Sequence, residues 1–171
     1  MRMLVNDMRF KWTGEEKYKQ NISNCIKLIY NATNSDGGIE DRLPKGVSFN
    51  LQYDISSFAT LIYAKEMIPD YDFGNGLRFL LESIAPDGDI NYQGRGCNQI
   101  FAWGPWIYIL SVCGQAKELA IALDFMDKYL PRMLENNSMM LNDWPGSEKY
   151  LWWDYHYASV YTAHLLLWLL L

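Results

Sequence analysis

The sequence predicts an all-α protein, an α/α toroid built from helical-hairpin repeats, on three observations. Apolar residues recur at helical spacing along most of the 171 residues, and no strand pattern competes strongly. Polar turns return at a near-constant interval: Asp36-Gly37 and Asp87-Gly88 stand 51 residues apart, and Asn137-Ser138 follows after another 50. The second helix of each pair is the more apolar and aromatic, as in "IFAWGPWIYIL" and "YASVYTAHLLLWLLL". A helix apolar on most faces must be enclosed. The first, third and fifth helices are therefore expected to form an outer layer around the second, fourth and sixth.

The elements follow in order. From about Glu15 to Asn34, Ile22, Cys25, Ile26, Ile29 and Tyr30 recur at helical spacing, and "NSDGGIEDRLPKG" then breaks the chain with Gly and Pro. A second helix is expected from about Leu51 to Met67, with Ile55, Phe58, Ala59 and Ile62 on one face. "IPDYDFGNG" turns it into a short helix through Leu77, Leu80, Leu81 and Ile84. After a polar loop, an apolar helix is expected from Asn98 to Val112, ended by Gly114. The fifth spans Ala116 to Leu134, with Leu119, Leu123, Met126 and Leu130 on its core side and Pro131 as a kink or break. The sixth starts near Trp152 and runs to the end. The hairpins thus span about 15–67, 72–113 and 116–171 of a single domain covering residues 1–171. Repeats of this length stack to bury a shared core. Six hairpins would close an (α/α)6 barrel and three are visible, so an incomplete ring is expected. The apolar stretch Leu165 to Leu171 is expected to form an exposed edge able to self-associate, as in a truncated domain.

Composition narrows the function. Net charge is −5, and the lysines and arginines form no run, which argues against nucleic acid as a partner. The apolar C-terminal stretch is too short for a stable membrane span, and "MRMLVNDMRFKW" has no signal-peptide core, leaving localisation open. The three cysteines lack metal-type spacing, and no phosphate loop or nucleotide fingerprint occurs. "DGGIED" holds three acids without EF-hand spacing, so neither a metal nor a cofactor is assigned. Aromatic residues make up 15% of the chain, enough to fill a core or to line a sugar-binding cleft.

In a hairpin ring the loops leading into the inner helices open on one end. Three polar-aromatic segments then converge: Ser48 to Asp54, Asn91 to Gln99, and Asn142 to Tyr157. The repeated Asp-Gly loops, and above all "PDGDINYQGRGCNQIFAWG", resemble the α/α-toroid domain of bacterial polysaccharide lyases of the heparinase, alginate-lyase and chondroitin-lyase kind. The resemblance implies an acidic polysaccharide or oligosaccharide as partner and β-elimination as the reaction.

That reaction needs a uronate carboxylate neutralised and an acid and base beside the reacting carbons. Arg95, Asn98 and Gln99 suit the first duty; Tyr92, Tyr53 and His156 suit the second. Trp103 and Trp153 are candidate sugar-stacking walls, and Asn50, Gln52, Asp54, Asp143 and Asp154 complete the substrate-facing set. Each also has a plainer reading. Arg95 can cap a carbonyl or pair with Asp87 or Asp89, Asn98 can be a helix N-cap, and the tyrosines and His156 can be core or rim residues. Asp154 lies two residues before His156 and does not share its helix face.

Two alternatives stay open. A glycoside hydrolase acting on unsaturated uronides would use paired carboxylates among Asp54, Asp143 and Asp154. A non-catalytic helical-repeat module would bind glycan or protein on its inner surface. A terpene-cyclase or prenyltransferase toroid would need an acidic cluster on an inner helix, and "SDGGIED" is a loop.

Overall fold

A computed structural model describes residues 2–43, 46–48, 50–90, 100–135, 138–139 and 162–171, most of them helical. The helices are α1 (Arg2–Thr13), α2 (Glu16–Ala32), α3 (Leu51–Tyr63), α4 (Phe73–Ser83), α5 (Trp103–Val112), α6 (Ala116–Tyr129) and α7 (162–169). Two short antiparallel ribbons sit between helices. β1 (Asp41–Leu43) pairs with β2 (Gly46–Ser48), Arg42 opposite Val47, and β3 (Leu134–Glu135) pairs with β4 (Ser138–Met139). The class is all-α, as periodicity predicts.

The Asp-Gly turns carry the repeat. At the first, Asn34 N–H donates to Gly38 O and Gly37 N–H to Asn34 O; at the second, Ala85 N–H donates to Asp89 O and Gly88 N–H to Ala85 O. The two patterns superimpose at the 51-residue offset read from the sequence. Gly37 and Gly88 hold φ of 97° and 93°, where a side chain is strained. Each turn also presses on the next outer helix. A Cβ on Gly37 would lie 2.7 Å from the Asn75 backbone of α4, and one on Gly88 would lie 3.0 Å from Ile121 of α6. Local side-chain bonds shape both loops: Asn34 Oδ1 accepts from Asp36 and Gly38 N–H, and Asp87 Oδ1 from Asp89 N–H.

Burial separates two groups of helices. Leu51, Ile55, Phe58 and Ala59 of α3 and Trp103, Trp106, Ile109 and Leu110 of α5 are essentially inaccessible. In contrast, α2 has no fully buried residue, α4 has Gly76 and Leu80, and α6 has Ala122 and Tyr129. α3 packs on α4 and α5, and α5 on α6. Ring contacts orient the central helices. Near their starts, Tyr53 meets Phe101 at 5.0 Å and Phe101 meets His164 at 6.4 Å. Near their ends, Trp168 meets Tyr63 at 6.3 Å and Tyr108 at 4.9 Å. So α3, α5 and α7 run parallel, their N-terminal ends together. α5 and α7 touch at the backbone, because a Cβ on Gly104 would overlap the Leu165 carbonyl.

Several boundaries and faces differ from expectation. α1 is an additional helix, closed by Gly14 at φ 70° and joined to α2 by Asn21 Nδ2 donating to Asn6 Oδ1 at 3.2 Å. α3 ends at Tyr63 and passes into a 3-10 turn, Lys65–Met67. α5 begins at Trp103 with Ala102 as N-cap, so the capping duty weighed for Asn98 does not arise. Pro105 explains it: in a helix begun at Asn98 its ring would meet the Phe101 carbonyl and its missing N–H would break the ladder. A start at Trp103 puts Pro105 in the first turn, where no N–H is needed. α6 stops at Tyr129, before the 3-10 turn that holds Pro131. Its core side is Ala122 and Tyr129, with Phe125 stacked on Trp103 and Leu119 and Met126 packed against the core as expected; Leu123, expected inside, is exposed. On α7, Leu165 and Trp168 are buried while Leu166, Leu167, Leu169, Leu170 and Leu171 are exposed, so Leu165 is not part of the apolar edge.

Replacing each positive-φ glycine by alanine separates strain from contact. Gly114→Ala, at φ 68° with nothing within 4 Å, is expected to cost about 1 kcal/mol. Gly37→Ala adds overlap with the α4 backbone and should cost at least about 2 kcal/mol. Urea midpoints measure both, and equal losses would refute a spacing role for the turn.

Candidate functional site

The start of α3 is unusual for a core helix in being polar. Asn50, Gln52 and Asp54 are at most 2% exposed, while the neighbouring Leu51 and Ile55 are wholly buried. Carboxylates are almost never fully buried unless paired. Asp54 Oδ1 accepts the Ile39 N–H at 3.3 Å, and Oδ2 has no hydrogen-bond partner among the described residues. Burial pushes the Asp54 carboxyl up to about 7, only partly offset by the Ile39 bond. This group therefore changes charge near neutrality.

Asp54 also fixes a loop. Ile39 follows the first Asp-Gly turn and bridges to Thr33, so the Asp54–Ile39 bond fastens that turn to the start of α3. The Thr33 hydroxyl bonds to Ile29 O and lies 3.4 Å from the Tyr71 hydroxyl. Burial raises the Tyr71 hydroxyl pKa, with Thr33 opposing and the Asp54 charge adding to the rise.

Of the residues singled out from sequence, Asn50, Gln52, Tyr53 and Asp54 share this end of α3. The Tyr53 ring is half-buried against Phe101, at the start of α5. Trp103 is not a sugar-facing wall. It is fully buried, stacked on Phe125 at 5.2 Å with an interplanar angle of 12°, because the first turn of α5 points into the core. Tyr92, Arg95, Asn98, Gln99, Asp143, Trp153, Asp154 and His156 lie outside the described residues.

Sequence reading passed over Tyr71, Thr33 and His164 as members of this end. His164 is half-buried between Phe101 and Trp168, and burial lowers its pKa by disfavouring the charged imidazolium. A signal for the Asp54 environment was present. Leu51, Asp54, Ile55, Phe58 and Ile62 form one helical stripe, so the acid stands within the core face.

A cleft of about 650 Å³ opens beside the second Asp-Gly turn, between Asp87 and the Asp124, Phe125 and Lys128 side of α6. Lys128 Nζ lies 2.5 Å from Asp124 there. Phe125 stacks on Trp103, which places the cleft near the start of α5. Among the described residues no three His, Cys, Asp or Glu side chains group as metal ligands, and no helix is long and apolar enough to cross a membrane. The geometry defines an all-α protein whose central helices begin together beside a buried polar cluster. No protein-family model, no curated protein and no solved structure matches the chain.

The raised Asp54 pKa sets a pH dependence. Between the unfolded value near 3.8 and the folded value of about 7, the folded state holds a proton that the unfolded state has released. Stability therefore falls as pH rises through this window, by about 4 kcal/mol in all. Asp54→Asn keeps an acceptor for Ile39 and removes the titration. Denaturation at pH 5 and pH 8 should show the wild type losing stability and the variant staying nearly level; parallel curves would refute a buried, titrating Asp54.

Proposed function

We propose that this protein is a carbohydrate-active enzyme of α/α-toroid type that binds a uronate-containing glycan at the end where α3, α5 and α7 begin and cleaves it by β-elimination. One observation carries the reading: the Tyr53–Phe101–His164 contacts, which bring the starts of the three central helices together. Helix N-termini present unpaired N–H groups and partial positive charge, a setting suited to a carboxylate. In β-elimination a base removes the proton α to the uronate carboxyl, a C=C bond forms, and the glycosidic oxygen leaves with a proton. Tyr53, Tyr92 and His156 are assigned to proton transfer; Arg95, Gln99 and Asn98 are assigned to the carboxylate. Asn50 and Gln52 stand buried behind the same end, and Asp54, about half-protonated near pH 7, repels a uronate less than a full carboxylate would. Asp143, Trp153 and Asp154 remain assigned to substrate binding, and the arc of an incomplete toroid is the architecture proposed.

A second reading rests on Asp54 alone. A buried carboxyl raised to about 7 has the pKa of a general acid, as a glycoside hydrolase acting on unsaturated uronides requires.

Incubating the protein with alginate, heparin or chondroitin separates these readings. A lyase generates new ultraviolet absorbance from the unsaturated sugar, and Tyr92→Phe or Arg95→Ala should lower that rate about 10²–10⁴-fold. A hydrolase consumes the absorbance of an unsaturated oligosaccharide and is disabled by Asp54→Asn or Asp154→Asn. Polymer held without shortening on long incubation would overturn both in favour of a binding module.

A further inference from the structure

The first helix carries an apolar face that no neighbour among the described residues covers. Val5, Met8 and Trp12 recur at i, i+3 and i+7, which sets them on one side of α1, and Met8 and Trp12 are 69% and 89% exposed. The opposite side holds buried Met3 and Asn6, packed toward α2. Along one flank of the apolar stripe, on the α2 side, are Arg2 and Arg9, both exposed and neither with a carboxylate partner among the described residues; Arg9 lies 5.9 Å from the centre of the Tyr18 ring. Lys11, Lys17 and Lys19 are matched by Asp7, Glu15 and Glu16.

The stripe continues across a groove. Leu4, Val5 and Met8 of α1 line a depression of about 460 Å³ together with Tyr63 of α3 and Leu167, Trp168 and Leu171 beyond it. The Asp7–Lys11 ion pair borders the same depression. Charge separates this region from the rest of the protein. Residues 1–20 hold five Lys or Arg against three Asp or Glu, net +2, while residues 21–171 carry −7.

We infer that the α1 face, Val5-Met8-Trp12 flanked by Arg2 and Arg9, docks on an anionic lipid surface. An exposed Trp and aliphatic side chains bordered by arginines match an interfacial helix, lying in the plane of the headgroups with its apolar side inserted. A twelve-residue helix lies on a bilayer and does not cross it. The charge argues for lipid over a second copy of this chain. A two-fold dimer through this face would bring two sets of Arg2 and Arg9 together, whereas anionic headgroups neutralise them.

The test uses the full chain and vesicles of phosphatidylcholine with and without phosphatidylserine, read by co-sedimentation. Binding should require phosphatidylserine and weaken as salt rises. Met8→Ser with Trp12→Ser, and separately Arg2→Gln with Arg9→Gln, should each weaken it about tenfold. All four side chains are exposed, so far-ultraviolet circular dichroism should stay unchanged. Three results would overturn the inference: no binding to either vesicle, equal binding to both, or binding that survives loss of Met8 and Trp12 and so reads charge alone. A dimer in sedimentation that the Met8 and Trp12 replacements dissociate, without vesicle binding, would assign the face to a second copy.

Discussion

The arrangement depends on a backbone constraint repeated twice. At Gly37 and at Gly88 the chain adopts a positive φ and comes against the next outer helix, leaving no room for a side chain at Gly37 and only a tight fit against Ile121 at Gly88. Each turn thereby sets how far one repeat stands from the following one. The short-range hydrogen bonds of the two turns are the same, so the repeat is enforced locally before distant packing contributes. Burial then acts on what the turns present: α3 and α5 are driven inside because their surfaces are apolar on most sides, while α2, α4 and α6 keep one face in water.

The polar start of α3 is the exception within that core. A buried carboxyl with one hydrogen bond among the described residues is costly, and Asp54 stands at the point where the first turn is tied to the central helix. An apolar residue of similar size would lose the bond to Ile39 and leave that N–H unmatched. The proposed function and the fold thus draw on the same side chain. The resulting titration near neutrality follows from its setting rather than from any neighbouring charge.

Much of this was legible in the sequence, for identifiable reasons. The 51-residue interval between Asp36-Gly37 and Asp87-Gly88 was visible because the conformation demands glycine, and glycine leaves a mark that packing does not blur. The all-α class followed from periodicity, and α3 and α5 stood out by their apolarity. Other features were hidden. The first helix escaped because it is apolar on two sides, Met3 turned inward and Val5, Met8 and Trp12 outward, so the sequence shows no single core-facing stripe. The start of α5 was placed too early, although Pro105 held the information. Trp103 is assigned to a cleft because it follows the polar segment that carries the lyase resemblance, whereas a ring in the first turn of an enclosed helix goes to the core. On α6, Phe125 and Tyr129 won the inward side over Leu123 because they stack with Trp103. Of the candidate site, only the α3 portion and Trp103 fall among the described residues, so the pairing of Tyr53 with Phe101 is where sequence and geometry meet.

Gly104 leads to one more conclusion. With backbone against backbone at Leu165, there is no compressible side chain between α5 and α7 to take up a displacement. Interfaces cushioned by long side chains can slide by changing rotamers; this one cannot. The mouth formed by the three central helices is therefore a rigid frame along its α5–α7 edge. Any side chain at position 104 would have to part the two helices, so at this contact the frame admits glycine alone.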